Sequence, residues 1–89
     1  MRPSAWDFQN RLTAILNSAR QNGQPYIDVE SDQLHRQVDA NLNANQTMPV
    51  CWDVMIRMMR AGDAVLREPA NGQTGNLVIR YNIRAARRA

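Results

Sequence analysis

Phe8, Leu12, Ile15, Leu16 and Ala19 recur at three- and four-residue intervals, a spacing that predicts a helix over about 5–21 with one apolar face. Ser4 stands before it as an N-cap, with Asp7 three residues on in capping-box spacing. Gly23 and Pro25 stop it. In "YIDVE" (26–30) the period changes to two, with Ile27 and Val29 on one side of a short strand. Ser31 is placed to cap a second, brief helix, "DQLHRQV", which buries Leu34 and Val38 one turn apart. "DANLNANQT" (39–47) holds three Asn and no core pattern apart from Leu42, so it reads as the turn between two helices.

"MPVCWDVMIRMMR" (48–60) is a third helix, capped by Thr47 or a neighbour, with Pro49 in its first turn and Gly62 at its end. "DAVLREP" (63–69) is extended, "ANGQTG" (70–75) is a hairpin loop with an Asn-Gly pair, and "NLVIRYNI" (76–83) alternates. Leu77, Ile79, Tyr81 and Ile83 fall on one face of that last strand, with Val78, Arg80 and Asn82 on the other. The order is helix, strand, helix, turn, helix, strand, loop, strand. It is the order of a winged helix-turn-helix, an α+β fold in which the early strand adds to a C-terminal hairpin wing. The expected organisation is one such domain over residues 1–83 and a flexible basic tail over 84–89.

The third helix is apolar over too wide an arc. At about 100° per residue its polar positions, Asp53, Arg57 and Arg60, share a strip roughly 60° wide. Two readings account for the rest. The helix is clasped by the first two helices and the hairpin, with the Met cluster as adaptable core filling. Alternatively Trp52, Ile56 or Val50 stays exposed and, with Trp6, forms a homodimer or partner contact.

At 89 residues the chain is one domain, near the lower end of what folds without staples. One cysteine, Cys51, excludes an internal disulfide, and with a single His35 it cannot complete a structural zinc site. No apolar run approaches a membrane span and the N-terminus lacks a signal-peptide core, so a cytoplasmic protein is expected. The net charge of +3 is unevenly spread. Residues 80–89 carry Arg80, Arg84, Arg87, Arg88 and no acid, leaving seven Arg against eight acids elsewhere. This describes a basic tail on a near-neutral body. The exclusive use of Arg over Lys also follows from a GC-rich genome and carries no weight by itself.

The strip is where a winged helix meets DNA, through the outward face of its third helix. Arg57 is suited to fork onto guanine and Arg60 to reach a base or phosphate. Against this, Asp53 and Arg57 are also spaced for an ordinary ion pair. Asn45, Gln46 and Thr47 stand where a helix N-terminus meets a phosphate, or simply satisfy the turn. Arg67, Asn71, Gln73 and Thr74 form the wing tip, and Arg84, Arg87 and Arg88 supply a sequence-blind attraction to nucleic acid. No enzyme is expected. Cys51 lies inside the apolar arc, His35 sits between Leu34 and Arg36, and no phosphate-cradling glycine loop precedes a helix. Asp28, Glu30 and Asp32 lack a Lys or His neighbour and read as a solvated edge. No cofactor or metal is expected.

The blocks "YIDVESDQLHRQV", "MPVCWDVM", "AGDAVL" and "LVIRYNI" resemble a group of small, mostly uncharacterised bacterial proteins of winged-helix appearance, some accompanying endonuclease-type genes. The resemblance covers roughly positions 26–83, and "LHR" and "MPVC" are its most specific parts. It implies the fold and brings no catalytic residue. Those relatives carry a Gly-Gly-Tyr-Pro-like turn and a His-Arg pair before the "MPVC" match. Here Asp39 to Thr47 contains no basic residue, so a phosphate contact made by that pair would be lost. The leading expectation is a DNA-binding winged helix, a small regulator or a factor of a mobile or defence locus, acting on double-stranded DNA as a homodimer. The alternative is a winged-helix module, an adaptor or inhibitor, that binds a protein partner and has little DNA function.

Overall fold

The structure, a computed structural model, describes residues 4–38, 44–69 and 76–83, and for residues 44–46 the backbone alone. The elements run α1 (Ala5–Gln21), β1 (Tyr26–Glu30), α2 (Ser31–Val38), α3 (Ala44–Arg57), β2 (Ala64–Arg67) and β3 (Val78–Asn82). The result is a small α+β domain of three helices and a three-stranded antiparallel sheet in the order β1-β3-β2. The last strand is therefore the central one. Its register with β1 opposes Ile27 to Tyr81 and Val29 to Ile79, which puts both apolar sets on the face that meets the helices.

The predicted face of α1 is buried, with Phe8, Leu12, Leu16 and Ala19 in the core. The Asp7 carboxylate accepts the Ser4 N–H at 2.7 Å, as the capping-box spacing required. At the other end Gly23 takes φ 73°, a conformation costly for a side chain bearing Cβ. The Gly23 N–H then reaches the Arg20 carbonyl and the Gln24 N–H the Ala19 carbonyl, which closes the helix. Leu77, Ile79, Tyr81 and Ile83 are all buried, as their alternation predicts.

The third helix departs from its expected limits at both ends. It begins at Ala44, so Pro49 lies inside it rather than in its first turn. Thr47 does not cap it: its hydroxyl is buried and bonded to His35 Nε2, while the His35 ring stacks on Phe8 with centroids 5.7 Å apart. The helix stops at Arg57, where its last carbonyls take other partners. Tyr81 donates its hydroxyl to the Met55 carbonyl at 2.8 Å, and the Met59 N–H turns to Ile56 at 3.1 Å. Asp63 accepts from the Arg60 N–H at 2.8 Å and from the Asn82 N–H at 2.7 Å. Gly62, at φ 95°, permits the reversal between them. Arg60 therefore lies beyond the helix, in the turn.

Ser31 is not a local cap either. It is fully buried at the junction of β1 and α2, and its hydroxyl uses its entire capacity. It accepts from the Leu77 N–H at 2.9 Å and from Trp52 Nε1 at 3.2 Å, and donates to Asn76 Oδ1 at 3.2 Å. Asn76 supplies the cap instead, accepting the Asp32 N–H at 3.0 Å. β2 joins β3 with a bulge between Val65 and Arg67, and all four of its residues are exposed. The expected Asn-Gly turn lies outside the described residues. Replacing Ser31 with Ala leaves the Trp52 and Leu77 donors buried without acceptors, a cost of about 1–3 kcal/mol each. Urea unfolding of Ser31→Ala should therefore show a loss of about 2–4 kcal/mol, and a loss below ~1 kcal/mol would contradict the assignment.

Candidate nucleic-acid interface

Most of the wide apolar arc of α3 is packing. Met48, Cys51, Trp52, Val54 and Met55 are core residues, and Val50, Met58 and Met59 pack partly against them. Trp52 is 9% exposed, which corrects its assignment to a partner surface: its indole N–H is drawn inward to Ser31. Ile56 remains exposed beside the polar strip, and Trp6, at the start of α1, is 68% exposed.

On the outward face of α3, Arg57 Nε lies 2.9 Å from Asp53 Oδ2, one helical turn apart. Both side chains are more than half exposed, so this pair is weak and its guanidinium is accessible. Arg60 does not continue the strip along the helix, because the helix has already ended. Thr47 is removed from any phosphate contact by its burial against His35. Asn45 and Gln46 fall in the first turn of α3, where side chains are undescribed. Arg67 is exposed at the end of β2, while Asn71, Gln73, Thr74, Arg84, Arg87 and Arg88 lie outside the described residues.

Two arginines acquire roles that the sequence did not suggest. Arg80 lies on the outer face of β3, where the alternation put it, and makes an ion pair that its count among the C-terminal charges did not suggest. Its Nε and Nη2 donate to the two Asp28 oxygens at 2.8 and 3.0 Å, and its guanidinium lies 4.1 Å from the centre of the Tyr26 ring. The Arg80 hydrogen bonds hold the Asp28 carboxyl below its usual range. Arg20 lines a groove of about 520 Å³ between α1 and the end of α3, together with Arg57 and Arg60. The signal for it was the polar series Gln9, Thr13, Asn17 and Arg20, which repeats at helical spacing along the flank of the core face of α1, beside Leu16.

Cys51 and His35 are both buried. Cys51 is buried, its thiol 3.7 Å from the Ser31 carbonyl, and burial, with a smaller contribution from Asp32, pushes the thiol up to about 12. A thiolate is thus absent at neutral pH. His35 is engaged by Thr47 and Phe8. Among the described residues no group of three or more His, Cys, Asp or Glu is placed to hold a metal ion. Asp28 is paired with Arg80, and Glu30 accepts from Asn76 at 2.7 Å. Among the described residues no helix is long and apolar enough to cross a membrane.

No family model, curated protein or solved structure matches the chain. Its surface must therefore be read from its own residues. The two tryptophans give a direct check on the placement of α3. In Trp6→Phe the remaining emission comes from Trp52 and should be nearly insensitive to iodide. Quenching comparable to that of a free indole would mean that α3 presents Trp52 outward.

Proposed function

We propose that the chain is a winged-helix protein that binds double-stranded DNA, with α3 entering the major groove. The element order and the β1-β3-β2 sheet order support the winged-helix reading, α2 and α3 corresponding to the helix-turn-helix and β2 and β3 to the wing. The observation that carries the DNA reading is Arg57. It stands on the outward face of α3 with its side chain 77% exposed, held loosely by Asp53. A guanidinium in that place can exchange the carboxylate for the paired acceptors of a guanine edge. Arg67, the wing loop and Arg84, Arg87 and Arg88 would hold the backbone without reading sequence. A single module of this size buries too little surface for strong specificity, so a homodimeric cytoplasmic regulator is the functional form proposed.

A second reading is favoured by a separate observation. Trp6, Ile56, Val65 and Leu66 are large apolar side chains left exposed, and Val65 and Leu66 lie on an edge strand. A protein-binding module with little DNA function would use such positions. The two readings separate by mutation. Across a panel of duplexes Arg57→Ala should cost about 1–3 kcal/mol on the preferred sequence and relax the preference there. Arg87→Ala with Arg88→Ala should weaken all sequences alike and reduce the salt slope by about 2. Equal, small effects of both variants on every duplex would sink the readout claim.

A further inference from the structure

We infer that the groove between α1 and the end of α3 is a binding site for a phosphate-bearing ligand of about nucleotide size. One wall is the polar series of α1 that ends in Asn17 and Arg20; the other is the segment from Arg57 to Arg60. Three arginines thus line one concavity, with no acidic lining residue among the described residues. The chain body has nearly equal numbers of Arg and acids, so this local excess is a feature of the fold and not of composition. Guanidinium presents its N–H donors in a planar fork that matches phosphate oxygens. Arg20 is partly oriented for this, since its Nη2 donates to Asn17 Oδ1 at 3.2 Å.

The two helices end beside the groove, and exposed carbonyls there would repel an anion. Those carbonyls are largely occupied. On α1 the Ala19 and Arg20 carbonyls receive Gln24 and Gly23, and on α3 the Val54, Met55 and Ile56 carbonyls receive Met58, the Tyr81 hydroxyl and Met59. Asp53 offsets part of the Arg57 charge, but an exposed pair of this kind exchanges readily for a stronger anion. Leu16, Met58 and Met59 add an apolar bed beside the cations. Methionine adapts its shape to a flat group, and the volume falls within the range of small-molecule sites. Phosphate next to a planar or apolar group is therefore the chemistry the groove fits. A free nucleotide and one unit of a nucleic-acid chain both present it.

This inference extends past the DNA reading, because Arg20 and α1 lie outside the surface assigned to sequence recognition. The test is an amide-shift titration of the isotopically labelled full chain with inorganic pyrophosphate, then ATP, then a short mixed-sequence duplex at low salt. Saturable shifts should cluster at Thr13, Asn17, Arg20 and Met59. Arg20→Gln, an exposed substitution, should weaken pyrophosphate binding about tenfold. Arg36→Gln, on the exposed surface of α2, should leave it unchanged. Groove shifts with ATP identify a free nucleotide as the source, and groove shifts with duplex alone identify a nucleic-acid chain. Duplex shifts confined to the outward face of α3, with no groove shifts from pyrophosphate or ATP, would overturn the groove and spare the DNA reading. Absence of saturable shifts with all three ligands, or equal weakening by Arg36→Gln, would also overturn it.

Discussion

The fold is organised around one buried hydroxyl. Ser31 lies where β1 passes directly into α2, and there the entry to β3, the start of α2 and the Trp52 side chain share a polar contact. A buried hydroxyl is tolerable only when its donor and both acceptor sites are used. Here the partners are Trp52 of α3 and Leu77 and Asn76, the two residues that lead into β3, so satisfying Ser31 ties the start of α2 to α3 and to the entry of the central strand. The backbone adds a fourth link, since the Ser31 N–H reaches the Leu77 carbonyl at 2.8 Å. This explains how a small domain with a modest core holds α3 in one orientation.

That orientation determines what the outside of the molecule presents. With Trp52 and Cys51 turned toward Ser31, the opposite side of α3 must carry Asp53 and Arg57. Tyr81 then sets where the helix stops by taking the Met55 carbonyl, and the chain turns back toward β2 through Arg60, Gly62 and Asp63. As a result Arg57 and Arg60 occupy one end of α3 near the last turn of α1, where Arg20 waits. The interior network and the basic groove are consequences of the same packing.

The elements were legible because their signals are local. The apolar spacing of α1, the alternation of β3, and Ser4, Asp7 and Gly23 each depend on residues a few positions apart. The element order followed from these alone. What was not legible depends on contacts between distant positions. Ser31 looked like a helix cap because nothing nearby shows that Leu77, Asn76 and Trp52 will surround it. Thr47 looks like a cap for the same reason, its partner His35 lying on the preceding helix. The end of α3 is set by Tyr81, well along the chain, and not by Gly62. The alternation of β3 puts Arg80 on its outer face, but the pairing with Asp28 depends on the register between β1 and β3. The outward placement of Arg57 was predicted from spacing, whereas its convergence with Arg20 needed the tertiary fold.

The proposed DNA binding depends on the accessible guanidinium of α3 and the basic residues around it, on a body that is otherwise near neutral. Charge contacts of that kind with DNA release counterions, so affinity must fall steeply as salt rises. The most direct measurement is fluorescence anisotropy of a labelled mixed-sequence duplex against the purified chain from low to physiological salt. Binding is expected, with a logarithmic salt slope that corresponds to several phosphate contacts. No binding at low salt would contradict it, and would leave the exposed apolar positions Ile56, Val65 and Leu66 as the surface to explain.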